Sequence, residues 1–490
     1  MQTVSYNQII NSKLSGSKYI LAPSQLTILE INNKNVVLIK NLLSRVLKNS
    51  DNGNEVGSIN YISQSKYHFV RAKALQKDHY LPIFNKETVV PIKIQVFKDF
   101  NLKEGDLIIS KDSNIGEAVI LDQNYNCYTI CGALYRLPIE RYKFYLFAFL
   151  KHSYFKKQLD LLVPKGSTIR HAKTLFLDCK IPFPNQNNAN DIIKYVEFLT
   201  LSIFNKEKEI RKKNDLIFNL IEKELLENQK NNQFVFQQPL FKEIHALNRL
   251  DTGIYGNSFK KIDFLIKNYK NGYFKINKKN IKAGNTPIKR IIDNNKNLDF
   301  AWVTPANISD YGQLIHNTRI NCNTYNLKQN SLLIINRTSR GNSGEYVGMS
   351  MFYDFNLYGN GQHNQGLYRI VNYEQNTLCF IGLFLNSPYM RTYCANLSVG
   401  SKMKELKLNQ ISEIPFPQFP IEKQNEISSL YHNNLEYPKN LLLDNLLQED
   451  EKWNKQVGII ELDVSIKKIK EKLNNILDKI VNDEMIDIVF

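Results

Sequence analysis

Base edges in the major groove of DNA are read by Arg or Lys against guanine and by Asn or Gln against adenine, while other basic and small polar groups hold phosphates. This chain gathers those residue types in a few short, Gly-containing segments. One holds Lys111, Asp112, Ser113 and Asn114; another holds Lys165, Thr168, Arg170, His171 and Lys173. A third runs Arg337, Thr338, Ser339, Arg340 and Asn342, a fourth Gln362, His363, Asn364 and Gln365, and Lys402 with Lys404 completes the set. Glycines beside them let backbone N–H groups approach a phosphate closely. Each residue alone reads as a solvated loop charge; as a group they are candidates for a DNA-facing surface.

Catalytic constellations are missing. The Asn/Asp-Pro-Pro-Tyr/Phe clamp of adenine methyltransferases does not occur, nor does a GxxxxGK[ST] phosphate loop. The glycines of YGNGQHNQG, near Gly359 to Gly366, have the wrong spacing for a dinucleotide loop. His363 within it lacks acidic neighbours for nuclease chemistry. Cys127 and Cys131 have no second close Cys or His pair to complete a zinc tetrahedron. No metal and no cofactor is therefore expected in this chain.

The 490 residues carry 64 Lys+Arg against 47 Asp+Glu, a formal net charge of +17. Unpaired charges stay on the surface, so a polyanionic partner is expected. No run of about 18 apolar residues occurs and the first twenty residues lack a signal-peptide pattern, so a cytoplasmic chain without membrane attachment is expected. The abundance of Asn, Lys and Ile also fits an AT-rich coding sequence, which weakens charge as an argument.

The segments that position these residues occur twice. GSTIRHAKTLFLDCKIPFP (Gly166 to Pro184) and GSKMKELKLNQISEIPFP (Gly400 to Pro417) share a Gly-Ser turn, a spaced apolar segment and Ile-Pro-Phe-Pro. Upstream, GDLIISKDSNIGEAVI and NSLLIINRTSRGNSGEYVGM are each a β-prone strand entering a polar turn with a basic residue, Lys111 or Arg337. After the first IPFP the chain lacks Gly and Pro from Asn190 to about Lys230, with apolar residues at Val196, Leu199, Ile203, Ile210, Ile217 and Leu220. That stripe predicts one long helix. After the second, a shorter amphipathic stretch meets Pro438, and Ile466, Ile469, Leu473, Ile476 and Ile480 resume a coiled-coil alternation. The expected class is α/β (α+β): a globular domain at 18–186, a helix at 188–232, a second domain at 245–418 and a helical region at 419–490.

This order resembles the DNA-specificity (S) subunits of Type I restriction-modification systems. The resemblance rests on GNTP (Gly284 to Pro287), FAWVTPANISDYGQLIHNTRI (Phe300 to Ile320), the two Gly-Ser turns, both IPFP segments and IEKQNEI (Ile421 to Ile427). GNTP has no evident counterpart in the first half, which offers YHFVRAKALQ (Tyr67 to Gln76) instead. The family implies two target-recognition domains whose helices pack as an antiparallel coiled-coil spacer, reading a bipartite duplex target. It implies adenine-specific methyltransferase partners, two per chain, that bind S-adenosylmethionine, and a restriction/translocase subunit as an optional third component. A free-standing DNA-binding regulator dimerising through its coiled coil is the alternative; a nuclease or methyltransferase with an unrecognised site is a third reading.

Overall fold

The computed structural model describes residues 31–488 except 164–171, 294–297, 299, 316–317, 340–343, 402 and 440–441. The chain divides into two compact units. One comprises the described residues up to Glu209 with Glu436–Lys455 and those from Leu462 onward; the other comprises Ile210–Leu435 with Gln456–Glu461.

In the first unit, β1 (Val36–Leu38) pairs antiparallel with β8 (Lys180–Pro182), closing a globular domain with a two-stranded ribbon. Between them, β2 (His68–Val70) lies between antiparallel β3 (Val89–Pro91) and parallel β6 (Tyr128–Ile130). A second sheet has β4 (Leu107–Ser110) between β5 (Ala118–Ile120) and β7 (Leu134–Leu137). Strand β4 is buried at every position, and Ile108, Val119, Leu121 and Leu134 share a core with Val70 and Ile130. Helices α1 (Lys143–Lys151) and α2 (Ser153–Leu162) follow.

Helix α3 runs unbroken over Ala189–Glu227, within the predicted span. Val196, Leu199, Ile203, Ile210 and Ile217 are buried as the stripe requires, joined by Ile221 and Leu225.

The second domain repeats the strands of the first and adds to them. Its ribbon pairs β9 (Tyr273–Phe274) with β20 (Phe416–Pro417), so both IPFP segments end a domain in the same way. Strand β10 (Ile281–Ala283) adds an edge to the sheet of β14 (Ser331–Ile335), β16 (Ser350–Tyr353) and β18 (Leu367–Ile370). The other sheet has β11 (Ile291–Asp293), β13 (Arg319–Asn321), β12 (Phe300–Val303) and β17 (Gly361–His363) in that order, β12 and β17 being parallel as β2 and β6 are. A small ribbon joins β15 (Arg337–Thr338) to β19 (Lys404–Glu405), and these two with β10 and β11 are the additions. Helices α4 (Gln375–Asn386) and α5 (Pro388–Leu397) stand where α1 and α2 stand in the first domain.

The C-terminal region is three helices, α6 (Ile421–Tyr431), α7 (Leu446–Gln456) and α8 (Ile459–Asn482), with Pro438 between the first two. Proline lacks the N–H and clashes with the preceding turn, so the break falls there. Within the first unit α8 runs antiparallel to α3. Asp483 accepts from Asn185 just before α3, the Lys472 ammonium lies 5.3 Å from the Tyr195 ring, and Lys470 pairs with Glu207 at 3.2 Å.

Lys206 of α3 and Asp450 of α7, both fully buried, form an ion pair. Ser202 Oγ at 2.8 Å, Tyr437 OH at 2.8 Å and Asn454 Nδ2 at 3.1 Å also donate to that carboxylate. Breaking a buried pair strands the remaining charge, whereas replacing both partners with apolar groups is often neutral. Asp450→Ala should therefore cost about 3–5 kcal/mol, while the Lys206→Met, Asp450→Leu double variant should recover most of it; urea denaturation of the first unit checks this.

Candidate nucleic-acid interface

The parallel pairs β2/β6 and β12/β17 show which residues of the two domains correspond. His68–Val70 faces Tyr128–Ile130, and Ala301–Val303 faces Gly361–His363. Val70 thus corresponds to Val303, and Ile130 to His363. In the adjoining sheet Leu107 pairs with Leu137 and Leu332 with Ile370, which aligns LYRL (134–137) with LYRI (367–370).

Two sequence-based pairings change under this alignment. YHFVRAKAL is the counterpart of FAWVTPANI: each is a strand followed by one residue and a 3-10 turn, Ala72–Ala74 or Pro305–Asn307. The counterpart of the GNTP turn is Gly53-Asn54. Gly53 donates to Leu134 O at 2.9 Å and Gly284 to the equivalent Leu367 O at 3.2 Å. Asn54 donates to Ile130 O at 2.8 Å and Asn285 to the equivalent His363 O at 3.2 Å. Both glycines are required by space: a Cβ would lie 1.9 Å from Cys131 O at Gly53 and 2.0 Å from Asn364 O at Gly284.

The second correction concerns Lys111 and Arg337, which are offset by one position. Lys111 donates to Ala133 O at 2.8 Å and Asn336 to Gly366 O at 3.0 Å, so these two correspond, and Arg337 is matched by Asp112.

Within the first domain, Lys111 lies 4.9 Å from the Tyr135 ring centroid, and its carbonyl accepts from Ala172 N at 2.8 Å. That bond brings the exposed Lys173 segment beside the Lys111 turn. Asn114 Nδ2 is tied to Leu75 O at 3.2 Å. In the second domain Arg337 pairs with Glu405 and Thr338 with Lys404 across the β15/β19 ribbon. Gly400 makes the tight turn into that ribbon: its φ is +107°, and a Cβ would lie 2.2 Å from Met403 O. Beside the ribbon, exposed Gln365 bonds the Thr286 hydroxyl and so joins the GNTP turn to this surface. Lys165, Thr168, Arg170, His171, Arg340, Asn342 and Lys402 lie outside the described residues.

Gln362 and His363 are not loop residues. They form β17 and are fully buried, because β17 pairs in parallel with β12 and the Asn285 turn covers it. Gln362 Nε2 donates to Asn285 O at 2.8 Å, so neither side chain is presented to solvent. Asn285, Thr286, Asn54 and Lys289 were missed as neighbours of this surface. In both domains a Gly-Asn doublet stands eight residues before an edge position (Tyr61 or Ile292), a correspondence that emerges only once the strands are aligned.

Cys127 and Cys131 are free thiols, and among the described residues no group of three metal-ligating side chains stands together. No described helix is long and apolar enough to cross a membrane.

Residues 44–232 and 270–435 each match the model of the Type I restriction modification DNA specificity domain, together well over half the chain. The chain belongs to that family. It is a DNA-specificity subunit with two specificity domains, and the matched segments contain both copies of the surface just described. A search of curated proteins gave no match. Among solved structures, the Type-I restriction-modification S subunit from M. genitalium is similar at 14% identity, covering 94% of this chain and 99% of that one (TM-score 0.41). A structure from work on assembly and conformational transition of the Type I system aligns at 10% identity over 94% and 100% (TM-score 0.28). The HsdS subunit from Thermoanaerobacter tengcongensis aligns at 12% over 95% and 96% (TM-score 0.25).

Two histidines of the second unit of this specificity subunit give opposite pH signatures. Burial, with the nearby Arg369 charge, outweighs backbone contacts to Asn364 and Leu367 and pushes His363 down to about 4. Burial would also lower His432, but bonds to Asp354 and Glu461 outweigh it and raise it to about 9. A depressed histidine loses stability as pH falls from its unfolded value near 6.5 through the folded value; a raised one holds its contribution below 6.5 and loses it as pH rises through about 9. His363→Ile, which installs the first domain's residue, should flatten the acid arm by about 3 kcal/mol, and His432→Gln should remove the alkaline arm. Denaturation midpoints of the second unit from pH 4 to 10 check both.

Proposed function

We propose that this specificity subunit reads a bipartite sequence in duplex DNA, one half-site per domain, and performs no chemistry itself. One observation carries the reading. The same strands build the same surface twice, yet place different side chains on it: Asp112 against Arg337 and Glu55 against Thr286. A duplicated scaffold with divergent polar tips suits two different half-sites. The continuous helix α3 serves as the spacer that holds a fixed gap between them.

The partners are adenine-specific methyltransferase subunits, two per chain, which hold S-adenosylmethionine and flip the target base out of the stack. A restriction/translocase subunit joins them where the system also cleaves. The complex acts in the cytoplasm. The regulator alternative is less well supported, because the coiled-coil stripe is used within the chain: α8 pairs with α3 of the same molecule and leaves that seam covered.

Mapping methylated adenines in cells with and without this chain tests the proposal. A two-part motif with a constant gap should vanish on deletion and return on complementation, and purified chain alone should transfer no labelled methyl group. Methylation unchanged by deletion, or transfer by the isolated chain, would contradict it.

A further inference from the structure

The GNTP turn leads into an edge whose composition is unusual for solvent. Ile288 is 96% exposed and Ile291 63% exposed, and Ile292 is exposed as well. Among the described strands β11 pairs only with β13, which leaves its other edge without a described partner. An exposed apolar edge strand is a liability that proteins normally blunt, and its retention points to a partner.

The turn is held at both ends. Gly284 has no room for a Cβ, Asn285 is bonded through its backbone to His363 and from Gln362, and Thr286 is bonded to Gln365. On the far side Arg290 Nη1 donates to Pro287 O at 2.7 Å. Ile288 therefore stands at the tip of a pinned turn, and little ordering entropy remains to be lost on contact.

Charge identifies the partner. From Phe264 to Ile292 there is no Asp or Glu, while Lys278, Lys279, Lys282, Lys289 and Arg290 fall within it. The turn also adjoins the candidate interface through Gln365. The first domain keeps the eight-residue spacing, Gly53 to Tyr61 against Gly284 to Ile292, but sets Gly57 where Ile288 stands and Glu55 where Thr286 stands, so the basic-flanked apolar tip belongs to the second domain. Apolar side chains flanked by basic ones enter DNA grooves, wedge base steps apart and bend the duplex.

We propose that the Thr286–Ile292 turn is a preorganised apolar wedge for duplex DNA, with Ile288 entering a groove and Lys289 on the phosphates. The proposal rests on the DNA-reading assignment above and adds deformation to direct reading. Sequence steps that bend easily would then be favoured without being contacted.

The test uses the full-length chain and an end-labelled duplex carrying its mapped methylation motif, with bend read by energy transfer and affinity by titration at several salt concentrations. Ile288→Ala should weaken binding roughly 10-fold, relax the bend and leave the salt slope unchanged. Lys289→Ala should keep the bend and reduce the salt slope by about one. Because both residues are exposed, the melting profile should not change. A wild-type chain that binds without bending, or an Ile288→Ala chain with unchanged bend and affinity, would overturn the wedge alone. Failure of the wild-type chain to bind any duplex would overturn the DNA reading with it. Self-association lost in Ile288→Ala with the bend retained would assign the edge to strand pairing between protein chains and also overturn the wedge.

Discussion

The Asp450 carboxylate sits in a site closed to water, and the Lys206 ammonium is the charge that makes its burial tolerable. The pair fixes α7 on α3 at one register, since a shift of one residue would leave two ions unpaired in the interior. From there the chain turns at Gly458 and runs back along the first half of α3, ending with Asp483 and Glu484 bonded to Asn185 and Gln186. Together with Glu207, which accepts from Tyr80 N and pairs with Lys470, this interaction joins the first domain, the first part of α3 and the end of the chain.

Both domains solve a common problem in the same way. Each must project polar side chains from a rigid base, and each does so at the end of a sheet whose central strand, β4 or β14, is buried at every position. The ribbons β1/β8 and β9/β20 bring the entry and exit of each domain side by side. Variation on the tips therefore leaves the core and the chain path undisturbed, which suits a protein whose partners stay constant while its target differs.

Much of this was legible in the sequence. The long helix followed from forty residues without Gly or Pro, and the repeated IPFP marked both domain ends because proline in that context can only close an extended segment. The Gly-Asn doublet was not legible: its importance lies in a backbone approach to a parallel strand almost eighty residues away, and no local spacing encodes that. Gln362 and His363 misled for the converse reason. Four polar residues beside glycines read as a loop, yet pairing with β12 turns two of them into core. The counterpart positions in the first domain, Thr129 and Ile130, show the apolar tendency that would have corrected the reading had the alignment been known.

Because each domain begins and ends on an equivalent ribbon, the first can replace the second: residues 36–182 in place of 275–415 join Phe274 to Val36 and Pro182 to Phe416, restoring Ile-Pro-Phe-Pro. The methylation motif of a folded chain built this way measures the central claim directly. If each domain reads one half-site, both halves of the new motif should carry the first domain's bases, with the second domain's sequence gone. A motif whose second half persists, or whose first half changes, would contradict it.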